Sequence, residues 1–169
     1  EHLAADVELE PPARELEPLR FVLHHLCGTL CEQLAARGAG AARAALTLSL
    51  ERSQHDQGPR IMAYEQALPE PSAAAELLER LLMARLEADP PSAPVERLAL
   101  QLDGTAPEAG QQLTLFDRQG AHAARLEWQL ASLAIRFGED RILRATTADT
   151  DDPLAERRFA WQDAVGVEA

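Results

Sequence analysis

The residues of this chain best suited to specific chemistry stand in one short stretch, Gln112-Leu113-Thr114-Leu115-Phe116. The chemistry is recognition, not catalysis. The Gln112 amide can donate and accept hydrogen bonds at the rim of a pocket. Leu115 and Phe116 form an adjacent pair of apolar plugs, with Leu113 beside them. Burying two such side chains is worth roughly 1.5–3 kcal/mol each, the scale of a micromolar peptide contact. Gly110 upstream and Asp117, Arg118 and Gly120 downstream put the stretch on an accessible connection. The same five residues also read as an edge strand, because Leu113 and Leu115 alternate with polar neighbours.

Other clusters carry less. His24, Cys27 and Cys31 fall at i, i+3 and i+7 of a helical pattern, where they could line one side as metal ligands. No second His/Cys cluster completes the set, and Cys27 belongs to an apolar stripe, so no zinc is expected. Asp149, Asp151 and Asp152 are followed by Pro153 where a calcium loop needs its third ligand, and the turn glycine is missing. They read as a solvated acidic run. Gly38-Ala39-Gly40 follows a helix, not a strand, and lacks the third glycine of a dinucleotide loop. The absence of lysine excludes a P-loop lysine and Schiff-base chemistry. Tyr64 and Trp128 are too isolated to stack bases and are expected in the core or at its rim. Nothing resembles an active site, and no cofactor or metal is expected.

Composition sets the frame. At 169 residues, 46% hydrophobic and 26% charged, the chain has enough apolar material for one domain with an extension, or for two small ones. It opens at Glu1 without an initiator Met, the expectation for a piece of a longer protein. There is no run of membrane-span length and no signal-peptide pattern. The two cysteines read as reduced thiols of a cytoplasmic protein. All 16 basic residues are Arg. A net charge of −12 opposes approach to a polyanion, so any DNA binding should be weak and local.

The elements that must position these residues follow from periodicity. A short strand over Ala5 to Glu10 stops at Pro11-Pro12. A helix over Ala13 to Arg37 carries the stripe Leu16, Leu19, Leu23, Leu26, Cys27, Leu30 and Leu34. Gly38 can cap it in the left-handed region. Arg43 to Glu51 alternates as a strand, with Leu46, Leu48 and Leu50 inward. Arg60 to Leu68 is its return strand. Ser72 is placed to cap a helix running to Ala88, with Leu77, Leu78, Leu81, Leu82 and Leu86 buried. Val95 to Asp103 is a last strand. The order βαββαβ predicts an α+β, ferredoxin-like domain with both helices on one face of a four-stranded sheet. The free face would carry Arg43, Thr47, Ser49, Arg97 and Gln101. A third helix, Ala121 to Phe137, shows the stripe Leu126, Leu130, Leu133 and Phe137. The expected organisation is a domain over 1–105, a linker over 106–120 holding the pentapeptide, and a helix and interaction tail over 121–169.

Gln-Leu-x-Leu-Phe resembles the pentapeptide by which bacterial replication and repair proteins bind the sliding clamp. The βαββαβ order, opening on a Pro-rich strand end and a Leu-rich helix, looks like the little-finger domain of Y-family DNA polymerases. The run Ala134-Ile135-Arg136-Phe137-Gly138-Glu139-Asp140-Arg141-Ile142-Leu143-Arg144 is more particular, as is the closing Pro153-Leu154-Ala155-Glu156-Arg157-Arg158-Phe159-Ala160-Trp161. Together they resemble the C-terminal half of the ImuB group, Y-family homologues that lack the catalytic acids. The resemblance implies a non-catalytic hub, with Gln112, Leu113, Leu115 and Phe116 on the clamp. It also implies tethering of an error-prone replicative polymerase and a RecA-like accessory protein during damage-induced translesion synthesis.

Two further sets of residues are expected to bind. Arg43, Thr47, Arg60 and Arg97 would hold DNA phosphates on the free sheet face. Arg157, Arg158, Phe159 and Trp161 combine guanidinium groups with aromatics, the types enriched at interface hot spots. Ala145 to Pro153 would be a tether before them. Phe159 and Trp161 read equally as a strand folded back on the chain. Two other readings stand beside the clamp-binding hub: a duplex-DNA module whose sheet face grips phosphates, and an enzyme subunit whose site lies elsewhere.

Overall fold

Leucines at every second position build the sheet. Leu46 and Leu48 of one strand and Leu98, Leu100 and Leu102 of its neighbour are all fully buried, while the residues between them face outward. The computed structural model describes residues 2–51, 60–107, 118–147 and 159–163. In these the elements are β1 (Leu3–Ala13), α1 (Leu16–Ala35), β2 (Ala39–Leu50), β3 (Ile61–Ser72), α2 (Ala75–Ala88) and β4 (Val95–Asp103). There follow β5 (Ala106–Pro107), α3 (Arg118–Phe137), a 3-10 turn (Glu139–Arg141), β6 (Leu143–Thr147) and β7 (Phe159–Asp163). The first six give the expected βαββαβ α+β domain.

The main sheet is antiparallel in the order β1-β4-β2-β3, and β5 pairs with the start of β2 at Ala39 and Gly40. Proline explains which strands take the edges. Pro11 and Pro12 lie in β1 and Pro69 and Pro71 in β3, where a missing N–H interrupts no ladder on the outer side. The proline-free β2 and β4 hold the centre. Because β1 is an edge strand, it runs past Pro11-Pro12 to Ala13 with a register shift after Glu8, instead of stopping at the prolines. For the same reason β3 continues to Ser72. The Ser72 Oγ accepts the Ala74 N–H at 3.1 Å, forming a turn before α2, whose N-cap is Ala74.

Helix α1 lies on β1, β4 and β2, while α2 packs on α1 and β3. Leu19, Leu23, Leu30 and Leu34 of α1 and Leu81, Leu82 and Leu86 of α2 are fully buried. Gly38 (φ 62) ends the first helix as its composition foretold. Gln66 is the buried polar residue of β3. Its amide accepts a hydrogen bond from Arg85 Nε at 3.0 Å and donates to the Ala67 carbonyl at 2.6 Å.

Helix α3 packs on α2 and β3, but not through the stripe its leucines suggest. Trp128, Ala131 and Ala134 are buried and Ile135 packs against the core, while Leu126, Leu133 and Phe137 are exposed. Small residues explain the choice, since Ala131 and Ala134 let the helix approach α2 closely and leave room for one large ring, Trp128. The region after it holds two further strands. Strands β6 and β7 pair antiparallel, with Leu143 opposite Asp163 and Thr147 opposite Phe159. Ala145 to Thr147 therefore belong to a strand, not to a tether.

Candidate functional site: the open sheet face and the segments beyond it

The register lays out the face opposite the helices in four rows. Glu8, Arg97, Ser49 and Ile61 form the first, and Asp6, Ala99, Thr47 and Ala63 the second. Ala4, Gln101, Ala45 and Glu65 follow, then Asp103, Arg43 and Ala67. Arg43, Thr47 and Arg97 thus share one face as expected, and exposed Arg60 stands at its margin, one residue before β3. They do not make a basic patch. Arg43 and Arg97 sit three rows apart, about 20 Å along the strands. The four rows hold Asp6, Glu8, Glu65 and Asp103 against Arg43 and Arg97, two negative charges in excess.

Arg97 is also committed. Its guanidinium donates to Glu8 and lies 3.6 Å from Asp6. The Glu8 hydrogen bond and charge, then the Asp6 charge, raise its pKa further above the usual arginine range. Asp103 accepts a hydrogen bond from the Gln101 amide at 2.7 Å. At the Arg97 end of this face a phosphate meets Glu8 and Asp6 first, while exposed Arg43 stands at the other end, opposite Asp103.

On the helix side, Arg20, Arg80 and Arg136 alternate with Glu76, Glu79 and Glu87 around a groove of about 420 Å³ between α1, α2 and α3. Glu87 accepts from Arg20 at 3.5 Å and lies 3.7 Å from Arg136. Three charges of each sign leave the groove electrically balanced. Nearby, His24 Nδ1 lies 2.7 Å from Glu79 Oε2. Cys27 and Cys31 point into the core, where burial first, then Cys31 and Glu79, push the Cys27 thiol far up. His24 and the two cysteines therefore do not converge on a shared point, and no group of three metal-ligating side chains occurs among the described residues. No helix among the described residues is long and apolar enough to cross a membrane.

Gln112, Leu113, Leu115 and Phe116 lie outside the described residues, as do Arg157 and Arg158. The chain around the pentapeptide is described up to Pro107, at the end of β5, and again from Arg118, where α3 begins. In the tail, Phe159 and Trp161 project from one face of β7, in edge-to-face contact with ring centroids 5.4 Å apart. They are in a strand, yet exposed. Thr146 Oγ1 donates to the Ala160 carbonyl across the hairpin at 3.3 Å. Arg144 lies 3.6 Å from Glu127, linking β6 to α3.

A family model for the impB/mucB/samB family C-terminal domain matches residues 2–115, about two thirds of the chain. The chain belongs to that family. A search of the curated proteins found no match. The βαββαβ unit is accordingly the little-finger-like C-terminal domain of a Y-family polymerase-related protein, a lineage tied to DNA-damage mutagenesis. The match contains this domain and no catalytic one.

For an impB/mucB/samB domain, the sequence reading missed the two residues that most change its sheet face, Asp6 and Glu8. Their signal was present. They alternate with Ala5, Val7 and Leu9 in β1, so they had to face outward once β1 joined the sheet. What periodicity could not supply was the neighbour, and β1 pairing with β4 brings Glu8 directly opposite Arg97.

Proposed function

We propose that this chain is the non-catalytic C-terminal part of a cytoplasmic translesion-synthesis protein of the ImuB type. It binds the bacterial sliding clamp through Gln112, Leu113, Leu115 and Phe116. From there it tethers an error-prone replicative polymerase and a RecA-like accessory protein during damage-induced mutagenesis. One observation carries the reading: the family match runs from residue 2 to residue 115 and so ends inside Gln-Leu-x-Leu-Phe. A clamp-binding peptide at the exit of a little-finger-like domain would hold that domain beside the primer terminus.

The acidity of the sheet face favours tethering over the alternative, a duplex-DNA grip. Two excess carboxylates and an Arg97 already paired to Glu8 and Asp6 leave Arg43 and Arg60 as the cations best placed for phosphates. Such contacts should be weak and lost as salt rises. Exposed Phe159 and Trp161 support a role for the tail in protein contact, since paired aromatics with neighbouring arginines are the composition of interface anchors. The test is co-elution of the full chain with a bacterial sliding clamp on size exclusion, with Leu115→Ala/Phe116→Ala as the control. Separate elution of the unmodified chain at tens of micromolar would remove the proposal's basis.

A further inference from the structure

Helix α3 has two apolar faces and uses one. Trp128, Ala131, Ala134 and Ile135 turn toward β3 and α2. On the opposite side Leu126 is 51% exposed, Leu133 40% and Phe137 59%, with Leu130 half-buried between them. A single exposed leucine needs no explanation, but a continuous row of four large apolar side chains marks a contact surface. The steps from Leu126 to Leu130, Leu133 and Phe137 run four, three and four residues. That is the a/d seam along which two helices pair. A seam of this period lies straight along the helix for about three turns, and its complement is another helix.

Charge narrows the occupant. Residues 2–51 and 60–107 hold eight Arg against fifteen Asp and Glu, a balance of −7, whereas residues 118–147 hold five Arg against three acids, a balance of +2. Arg125 and Arg136 flank the seam on one side, about three turns apart, Glu127 flanks it on the other, 3.6 Å from Arg144, and Arg141 follows its end. Arg136 shares Glu87 with Arg20. Among the described residues, Arg125 and Arg141 have no acidic partner. Beyond about 8 Å the acidic domain is screened at physiological salt, so these arginines set the local field. A second copy of the chain would bring the same arginine flank to the contact, like charge against like.

We propose that the outer face of α3 docks one amphipathic helix of another protein, apolar at a and d and acidic along the flank that meets these arginines. This does not depend on the clamp reading.

The probe is a synthetic peptide of about three heptads, Leu at a and d and Glu at e and g, titrated by fluorescence anisotropy into the full chain. A shuffled peptide of identical composition is the control. The ordered peptide should bind and the shuffled one should not. Leu133→Asp should weaken binding at least about tenfold, because it sets a charge in the apolar seam, with the melting temperature unchanged. Arg125→Glu with Arg141→Glu should weaken it severalfold, and a peptide with Lys at e and g should recover the loss. Equal binding of the shuffled peptide, no binding of the ordered one, or indifference to Leu133→Asp would overturn the proposal. So would two other results. A dimer in sedimentation that Leu133→Asp dissolves would make a second copy the occupant. A melting temperature lowered by Leu133→Asp would mean that the chain itself covers the seam.

Discussion

Replacing Trp128 with Ala should release α3 from the domain. The ring is only 5% exposed and belongs to the same buried cluster as the leucines of the sheet and of α1 and α2. Truncating a buried aromatic to Ala costs about 3–5 kcal/mol. For a chain of this size that lowers the melting temperature by roughly 6–20 °C. Trp128→Phe should behave differently. The indole N–H is buried and has no acceptor among the described residues, so removing it relieves a penalty of about 1–3 kcal/mol. That relief offsets most of the lost packing, and the net change should stay within about 1 kcal/mol. Urea denaturation followed by fluorescence measures both. The chain has two tryptophans, and the other, Trp161, is 62% exposed. In a Trp161→Phe background the folded chain should emit at the short wavelengths of a buried indole and shift red in urea. Emission typical of free tryptophan in the folded Trp161→Phe chain would refute the packing of α3. A Trp128→Ala penalty below about 1 kcal/mol would do the same, and a Trp128→Phe penalty well above about 1 kcal/mol would show that the N–H has a partner.

Three further outcomes follow from the geometry. Tyr64, the one tyrosine, donates its hydroxyl to the Asp89 carbonyl at 2.7 Å, and burial, then the Asp89 charge, push its pKa up to about 12 from 10.0. A folded value above the unfolded one means its contribution is complete below pH 10 and lost as pH rises toward 12, so ultraviolet titration should move its midpoint back to about 10 in denaturant. A Cβ on Gly40 would stand 2.5 Å from the Ser72 nitrogen and 2.6 Å from the Pro71 carbonyl carbon, backbone that cannot yield. Gly40→Ala should therefore destabilise by about 1–3 kcal/mol, whereas Gly28→Ala in α1, which meets nothing within 4 Å, should stabilise by about 0.5–1 kcal/mol; the reverse order in thermal melts would contradict this. Asp6→Asn with Glu8→Gln should free Arg97 and steepen the salt dependence of DNA binding by about 0.9 in log–log slope for one added phosphate contact, and an unaltered slope would show that these acids do not restrain it.

Where the sequence spoke clearly, it did so through period and punctuation. The alternating leucines of β2 and β4, the stripes of α1 and α2, and Gly38 were legible because each pattern fits one element only. Strand order was written less plainly, in the positions of Pro11, Pro12, Pro69 and Pro71, whose need for an edge becomes evident once the sheet is seen. Helix α3 misled because it carries two apolar faces. Four large side chains outweigh Trp128 with two alanines by hydrophobicity, but close approach to α2 favours the smaller residues. The strand at Phe159 and Trp161 was one of two readings of the tail; its partner was hidden, because β6 holds Leu143, Arg144, Ala145, Thr146 and Thr147, short and mixed, and a two-stranded pair needs no strong alternation. At the sheet face, the residue types were readable and their cross-strand neighbours were not, so Arg97 was counted as a free cation when it is held by Glu8 and Asp6.

Isothermal titration of the chain into a bacterial sliding clamp tests the tethering role most directly. The unmodified chain should bind with micromolar affinity, near −8 kcal/mol. Leu115→Ala with Phe116→Ala should remove roughly 3–5 kcal/mol of contact, enough to abolish measurable heat, while the thermal transition stays where it was. Undiminished affinity in the double variant would contradict the assignment of the clamp contact to this stretch, and a collapsed thermal transition would place Leu115 and Phe116 in the core instead.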